Sequence, residues 1–273
     1  MFLGYKCENQ PRNVSVLPRE LIASRPSWVR RQISNDEVFA LTSEIISKSC
    51  TTGIEVGVAS GFSSAVIFSA LSSVDEDALL YSYDLSRKCY FDSTRNTGDA
   101  FFEMLGERTG FKLSTGVTSS EIDLPRKADF GFIDACHENP WPALDLLAMS
   151  RFLADGALVA LDDIDTIFRR GLRHTNGGRD LYRAWPGKKY QLDGVSGLGF
   201  LIYDRASMLR AIQTTFALDW DAHIHPDVLG QYMKILSRVS PLAYLKLFLN
   251  VSRYAGTRDH ARRHASLLDG KRF

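Results

Sequence analysis

One stretch near the start of the chain, GIEVGVASGFSSAVIFSAL at residues 53–71, constrains the fold more than any other. A strand-length apolar run leads into two glycines four residues apart, Gly57 and Gly61, and small residues with helical character follow. A strand that ends in a glycine-rich turn and continues as a helix is a ligand-binding unit of open α/β sheets. Glycine lets the backbone approach a ligand, and the helix start presents N–H groups. An anionic group is therefore expected at this turn, with Ser63 and Ser64 as further donors.

Apolar runs of strand length alternate with helix-length segments, which predicts βα units and a mainly parallel sheet. The predicted elements are a helix near residues 35–50, strands at GIEVGV, DALLYSYDL, FKLSTG, ADFGFID and GALVALDD, and an antiparallel hairpin at KKYQLDG and GLGFLIYDR. The predicted fold class is thus α/β, a Rossmann-like seven-stranded sheet with an antiparallel final hairpin. We expect an N-terminal segment at residues 1–34, a central domain at 35–205 and a helical extension at 206–273.

Charge and cysteine usage limit the classes of partner. Lys plus Arg (33) nearly balance Asp plus Glu (32), so the broad basic surface of a nucleic-acid-binding protein is not expected. The four cysteines form no C-x-x-C pair, which argues against a zinc site or a disulfide framework and fits a reducing cytoplasm. No apolar run has the length of a membrane span or a signal-peptide core. We expect a cytoplasmic protein with no membrane span.

The residues around the two glycines narrow the class of ligand that we expect at the turn. The third glycine of the nicotinamide fingerprint is missing, whereas Glu55 precedes the turn and Asp84 ends the next strand, where a carboxylate can accept both hydroxyls of a ribose. A nucleoside with a small charged tail fits this pattern. Alternatives stay open: a strand-to-helix turn with no ligand, an Asp84 that caps a helix or pairs with Arg87, a nicotinamide oxidoreductase, and a non-catalytic nucleoside-binding or scaffold protein.

Three carboxylates, Asp134, Asp162 and Asp163, end two strands that we expect to be neighbours. Adjacent strands lie about 4.8 Å apart, so the like charges need protons, arginine partners or a cation to offset their repulsion. Oxygen ligands select a hard ion such as Mg²⁺, which would also bind substrate oxygens. The alternative is that Asp163 caps the following helix while Arg169 or Arg170 neutralises the other charges.

Histidine supplies the candidates for a general base. His137 lies three residues after Asp134, where a neutral imidazole can take a hydroxyl proton, and a loop histidine bonded to nearby groups is the competing interpretation. His174 is the second candidate base, in a glycine-containing segment at residues 169–186 that is suited to a mobile cover over the site. The pair His223 and His225 lacks a further separated ligand and is interpreted as a surface loop.

The ordered motifs EVGVASGFS, YSYDLS, DFGFIDACH and LDDID resemble those of class I S-adenosylmethionine-dependent methyltransferases over residues 35–204. The likeness is nearest to small-molecule O-methyltransferases with an IDG-x-H or IDGD motif and a later DD. The sequence departs from that pattern at Ala135 and Cys136, where glycine and often aspartate stand. The resemblance implies S-adenosylmethionine as cofactor, held by Glu55, Gly57, Gly61 and Ser63 at its methionine end, Asp84 at its ribose, Thr118 near its adenine and Asp134 beside it.

By this resemblance the predicted function is O-methylation of a small-molecule hydroxyl on a sugar, phenol or natural product. Asp134 and His137 are the predicted catalytic residues, and Asp134, Asp162 and Asp163 are the predicted Mg²⁺ ligands if a metal takes part. A metal-independent methyltransferase with a histidine base is the alternative. The expected partner is a hydroxylated acceptor rather than nucleic acid, and a homo-oligomer is left open.

Overall fold

The structure is a computed structural model. It describes residues 16–30, 33–165, 168–170, 173–218, 220, 222, 224–241 and 244. Within these ranges, no helix has both the length and the apolar character needed to span a membrane.

The chain alternates helices and strands as the sequence predicts. The helices are α1 Val16–Ala23, α2 Asn35–Ser47, α3 Phe62–Val74, α4 Asp99–Leu105, α5 Trp141–Met149, α6 Gly177–Ala184, α7 Arg205–Phe216 and α8 Pro226–Val239. The strands are β1 Thr52–Val56, β2 Leu79–Asp84, β3 Lys88–Cys89, β4 Asp92–Asn96, β5 Phe111–Thr115, β6 Ala128–Ile133, β7 Leu153–Leu161, β8 Phe168–Arg170, β9 Arg173–Thr175, β10 Lys189–Tyr190 and β11 Gly199–Ile202. A 3₁₀ turn covers Ser119–Glu121.

Seven strands form one sheet in the order β10-β11-β7-β6-β1-β2-β5. Strands β5, β2, β1, β6 and β7 pair in parallel, whereas β11 is antiparallel to both β7 and β10. The mainly parallel, Rossmann-like sheet with an antiparallel hairpin is therefore confirmed. Two small hairpins, β3–β4 and β8–β9, lie outside this sheet.

Helices cover both faces of the sheet, so the domain has three layers. On one face α1, α2, α3 and α4 share a core with strand residues such as Phe130 and Phe132. On the other face α5, α6, α7 and α8 pack around Ile54, Val159 and Leu201. Because both faces are buried, the parallel strands read as nearly continuous apolar runs. Helices α7 and α8, from the predicted extension, thus share the core of the sheet.

Two segments differ from the sequence expectation. The stretch between β2 and β5 contains β3, β4 and α4, but β4 is exposed and polar, with no alternating pattern to predict a strand. Within the predicted helical extension, the apolar pattern at residues 232–254 favours one long helix, but the helix is interrupted at Ser240. Ser240 is extended (ψ 98°) before Pro241, a conformation that proline favours in its predecessor, and Pro241 and Tyr244 are helical again. The apolar residues Leu242, Leu245, Phe248 and Leu249 further along this pattern lie outside the described residues.

The strand order reverses between β1 and β6, which makes their ends the switch point of the sheet. Here Gly57 has φ +94°, and a β-carbon on it would lie 2.1 Å from the carbonyl oxygen of Asp134. Gly61 has φ +88°, and a β-carbon there would lie 2.7 Å from the Cα of Gly98. Each position requires glycine for two reasons: the backbone is left-handed, and another segment of the chain approaches closely.

We predict that Gly57→Ala destabilises the fold by several kcal/mol, because the backbone carbonyl that meets the new methyl group cannot move aside. Gly156→Ala is the matched control, since Gly156 has φ +82° but nothing within 4 Å of a built β-carbon. Its cost should be only the left-handed conformation, about 1–2 kcal/mol. Urea unfolding of both variants measures the difference, and equal losses would contradict the close-approach explanation.

Candidate active site

The residues singled out from the sequence gather at one edge of the sheet, where the five parallel strands end. Gly57 and Gly61 follow β1, Asp84 ends β2, and Thr118 follows β5. On the other side of the switch point, the acidic residues Asp134, Asp162 and Asp163 follow β6 and β7. Parallel strands place their carboxyl ends together, so the predicted cofactor and acid groups face one crevice.

Glu55 is fully buried beneath the glycine-rich turn. Its Oε1 accepts a hydrogen bond from Ser63 Oγ (2.7 Å), and its Oε2 accepts from Ser64 Oγ and Ser82 Oγ (both 2.6 Å). The sequence interpretation placed Ser63 and Ser64 as donors to an anionic ligand, but here both hydroxyls are donated to Glu55. The carboxyl group thus ties β1 to the start of α3 and to β2.

Burial raises the pKa of Glu55 to about 7, against the opposing effect of the three serine hydroxyls. Desolvation penalises the charged form, whereas hydrogen bonds to the carboxylate favour it. Because the folded-state pKa lies above the ordinary value of 4.5, the favourable contribution of the protonated group is complete below pH 4.5 and is lost as the pH rises through 7.

Asp84 closes the glycine-rich turn from the end of β2. Its Oδ2 accepts hydrogen bonds from the backbone N–H groups of Val58 and Ala59 (both 2.9 Å), and its Oδ1 accepts from the N–H of Ser86 (2.7 Å). A carboxylate offers about four acceptor sites, so the half-buried group retains capacity on Oδ1. No ion pair between Asp84 and Arg87 is found among the described contacts.

Thr118 begins the short turn that follows β5. It forms a capping box with Glu121, whose Oε1 accepts from the Thr118 N–H at 3.0 Å. The next residue, Ser119, is buried and its hydroxyl bonds to Asp145 on α5 and Tyr232 on α8. Neither partner was identified from the sequence. The signal for Asp145 is an acid within the apolar helix WPALDLLAM, but nothing local marks Tyr232.

The half-buried Asp134 and the buried Asp162 form a carboxyl pair. Burial is the largest cause that raises the pKa of each, and their hydrogen bond favours the protonated form of Asp134 and the charged form of Asp162. A hydrogen bond between two carboxyl groups needs a proton on one of them, so Asp134 and Asp162 share a proton. The second oxygen of Asp162, Oδ1, is buried with no hydrogen-bond partner among the residues that the structure describes.

His137 lies between the carboxyl pair and Asp163. Its Nε2 is 3.4 Å from Asp163 Oδ2 and 3.9 Å from Asp134 Oδ1, and 28% of the side chain is exposed. Burial lowers the pKa of His137, while the charge of Asp163 acts in the opposite direction. The imidazole is thus held neutral near pH 7, next to acids and open to the crevice.

The start of α6 completes this side of the crevice, a feature that sequence reasoning missed. Asn176 Nδ2 donates to the Asp163 carbonyl, and the N–H of Gly177 donates to the His137 carbonyl (2.6 Å). Asn176 also caps α6 by accepting from the N–H of Arg179. An asparagine before two glycines and a helical run is a recognisable N-cap signal. No helix directly follows Asp163, which has φ +55°, so it does not act as a cap.

Several sequence predictions lie partly or wholly outside the described residues. The side chains of Arg169, Arg170 and His174 are not described, although their backbone forms β8 and β9. His223 is outside as well. His225 caps α8 by accepting from the N–H of Asp227. Within the predicted cover at 169–186, residues 177–184 form α6, and its mobility stays a prediction.

The acid cluster is the metal site that the sequence predicts. Among the residues that the structure describes, no group of three or more His, Cys, Asp or Glu is arranged to hold a metal ion. Mg²⁺ at Asp134, Asp162 and Asp163 therefore stays a prediction.

Part of the chain matches a known protein-family model. Residues 54–164 match a family model described as a methyltransferase domain. The match spans the glycine-rich turn, Asp84 and the acid cluster, and it confirms the resemblance to class I S-adenosylmethionine-dependent methyltransferases. No curated protein is similar enough in sequence to count as a relative.

Solved structures resemble the chain only distantly. An O-methyltransferase from Bacillus cereus in complex with SAH has 17% identity and a TM-score of 0.47, with 70% of this chain and 90% of that chain covered. The O-methyltransferase TomG from Streptomyces achromogenes, involved in tomaymycin synthesis and solved with SAM, has 17% identity and a TM-score of 0.48, covering 74% and 93%. At this distance the similarities do not identify the substrate.

We predict that Glu55→Gln flattens the pH dependence of stability. In the native protein the free energy of unfolding should fall by up to about 3 kcal/mol more than in the variant between pH 4.5 and 8, because Glu55 becomes charged in this range and a glutamine in its place cannot. Urea unfolding at pH 4.5, 6 and 8 measures this. Exposed Glu107→Gln is the control and should follow the native profile, whereas parallel native and Glu55→Gln profiles would refute the buried-charge account.

Proposed function

We propose that this chain is an S-adenosylmethionine-dependent O-methyltransferase that acts on the hydroxyl of a small molecule such as a sugar, a phenol or a natural product. One observation carries the proposal: a glycine-rich turn, the carboxylate of Asp84 and the neutral imidazole of His137 lie at the same edge of the sheet. This arrangement supports binding of a nucleoside at the edge, with the imidazole beside it as a proton acceptor.

The glycine-rich turn and Asp84 fit the cofactor. Gly57 and Gly61 have left-handed backbones, and the carbonyl of Asp134 and the backbone of Gly98 occupy the space that their β-carbons would take. The glycines therefore give the turn the compact shape to which we assign cofactor binding. Asp84 keeps an acceptor site for a ribose hydroxyl while its other sites hold the turn in shape. Because Glu55 is used inside the fold, its proposed role at the methionine end is to support the turn rather than to contact the ligand.

When bound, S-adenosylmethionine supplies an electrophilic methyl group on a positively charged sulfur. An acceptor hydroxyl that received this methyl group, in exchange for the broken methyl–sulfur bond, would have to give up its proton to a group of the protein. We assign the proton to Nε2 of His137, which is partly exposed and has Asp163 at 3.4 Å to stabilise the resulting imidazolium. Catalysis by the protein then consists mainly of alignment and of charge stabilisation.

We further propose that a divalent ion takes part in the reaction. Carboxylate oxygens are the ligands that Mg²⁺ prefers, and the buried Oδ1 of Asp162 is an acceptor that lacks a partner among the described side chains. Asp134, Asp162 and Asp163 would hold the ion, which would replace the proton that Asp134 shares with Asp162. When bound, the ion would supply acidification and orientation of the acceptor hydroxyl.

We predict that Asp84→Ala weakens binding of S-adenosylhomocysteine about ten- to a hundredfold, the effect of losing a charge-assisted hydrogen bond. Isothermal titration calorimetry measures the affinity. Asp129→Ala is a matched control, because the Asp129 carboxylate holds the N–H groups of Thr51 and Thr52 at the opposite end of β1. It should lose stability but keep affinity. Binding of NADH without any binding of S-adenosylhomocysteine would overturn the proposed cofactor.

Metal dependence is predicted separately. Exhaustive chelation should abolish methyl transfer to an identified acceptor, added Mg²⁺ should restore it, and affinity for S-adenosylhomocysteine should change less than twofold. Asp163→Asn should mimic chelation, whereas the control Asp165→Asn, two residues along the chain and exposed, should retain turnover. Turnover that survives chelation unchanged would remove the ion from the proposal and leave His137 as a metal-free base.

A further inference from the structure

A buried hydroxyl from α8 reaches the turn that follows β5. The OH of Tyr232 lies 2.7 Å from Ser119 Oγ, and Ser119 Oγ donates to Asp145 Oδ1 at 2.5 Å. Ser119 has a single hydroxyl hydrogen, which is directed to Asp145, so Tyr232 must be the donor to Ser119. A directed chain of hydrogen bonds thus runs from α8 through the turn to α5.

The ionisation of both ends agrees with this direction. Burial, followed by the nearby charge of Asp145, raises the pKa of Tyr232, so the phenol keeps the proton that it donates. Hydrogen bonding from the Ser119 and Thr118 side chains and from the Ser120 backbone acts in the opposite direction on the same pKa. Asp145 is 3% exposed, and burial raises its pKa to about 7.

Contacts around this chain hold the turn from the same two helices. Ser120 Oγ donates to Gln231 Oε1 on α8 at 2.5 Å. Arg151, just beyond α5, donates to the carbonyls of Ser120 (3.1 Å) and Ile122 (2.8 Å). The ring of Tyr232 also packs edge-on against Trp141 of α5, with centroids 6.1 Å apart.

The buried carboxyl group of Asp145 is not needed for packing of α5. The residues around Asp145 on α5 are buried and mostly apolar, and its Oδ2 has no hydrogen-bond partner in the described part of the chain. A buried acid with an unmet oxygen costs free energy that an apolar residue would not. In return, the Asp145 carboxylate fixes the orientation of Ser119, because hydrogen bonds on both sides of its hydroxyl restrict the positions that this residue can take.

We propose that Tyr232 and Asp145 are positioning residues that hold the Thr118–Ser120 turn in the orientation that contacts the adenine of the cofactor. This inference rests on the proposed function and on the place near the adenine that the family resemblance implies for Thr118. It assigns the helical extension a role: α8 sets the affinity of the site for its cofactor without touching the reacting atoms.

The test is the affinity for S-adenosylhomocysteine, measured by calorimetry on the full chain. Tyr232→Phe should raise the dissociation constant about five- to tenfold, while kcat at saturating S-adenosylmethionine stays within twofold. The matched control is Tyr203→Phe. Tyr203 is also a buried tyrosine, but its OH donates to the backbone carbonyl of Ser150 at 3.4 Å, away from the turn. This control should leave the dissociation constant unchanged.

Two further comparisons keep the test decisive if Tyr232→Phe does not fold. Asp145→Asn preserves an acceptor for Ser119 and should bind like the native protein, whereas Asp145→Ala should show the weaker binding. Gln231→Ala removes an exposed contact to Ser120 and should weaken binding about twofold.

The outcomes separate this inference from the proposed function. A native protein that does not bind S-adenosylhomocysteine overturns both. If the native protein binds tightly and Tyr232→Phe binds equally well, the positioning role alone is overturned. Asp145→Ala decides this point if Tyr232→Phe does not fold. A loss of affinity in Tyr203→Phe as large as that in Tyr232→Phe also overturns the positioning role.

Discussion

The contact between the ends of β1 and β6 is the constraint on which the rest of the site depends. Gly57 lies against the carbonyl of Asp134 with no room for a β-carbon, and the Asp134 N–H donates to Val56 at 2.9 Å. Backbone, rather than side chains, therefore sets the separation between the glycine-rich turn and the acid cluster. The two halves of the crevice cannot shift independently, which suits a reaction that needs two groups aligned.

Buried carboxyl groups lie at or behind this edge, and the structure offsets their desolvation in different ways. Glu55 receives three serine hydroxyls, and Asp145 receives one. Asp134 and Asp162 share a proton, with the Asp163 backbone and the His137 imidazole beside them. Glu55 thus meets the hydrogen-bonding needs of both its oxygens within the fold, whereas Asp145 and Asp162 each keep one buried oxygen without a partner among the described residues.

The sequence predicted the sheet well because β1, β2, β6 and β7 are buried and sharply bounded by turn residues. It could not predict β4, whose exposed polar residues carry no periodic pattern. Side-chain partners were harder still. Glu55 and Ser63 occur in one motif and were both expected at the ligand, but α3 folds back so that they bond to each other. Tyr232 and Ser119 are 113 residues apart, and no local pattern can reveal such a pair.

The strand order also has a consequence for synthesis of the chain. On one side β1 pairs with β2, and on the other side it pairs with β6, which is made much later. Asp129, whose side chain accepts from the N–H of Thr52, lies 77 residues after Thr52 in the chain. At roughly 5–20 residues per second, a ribosome needs about 4 to 15 seconds to make that length. During this interval an apolar strand has an open edge that another nascent chain can pair with. Any helper that shields this edge has to act before β6 leaves the ribosome.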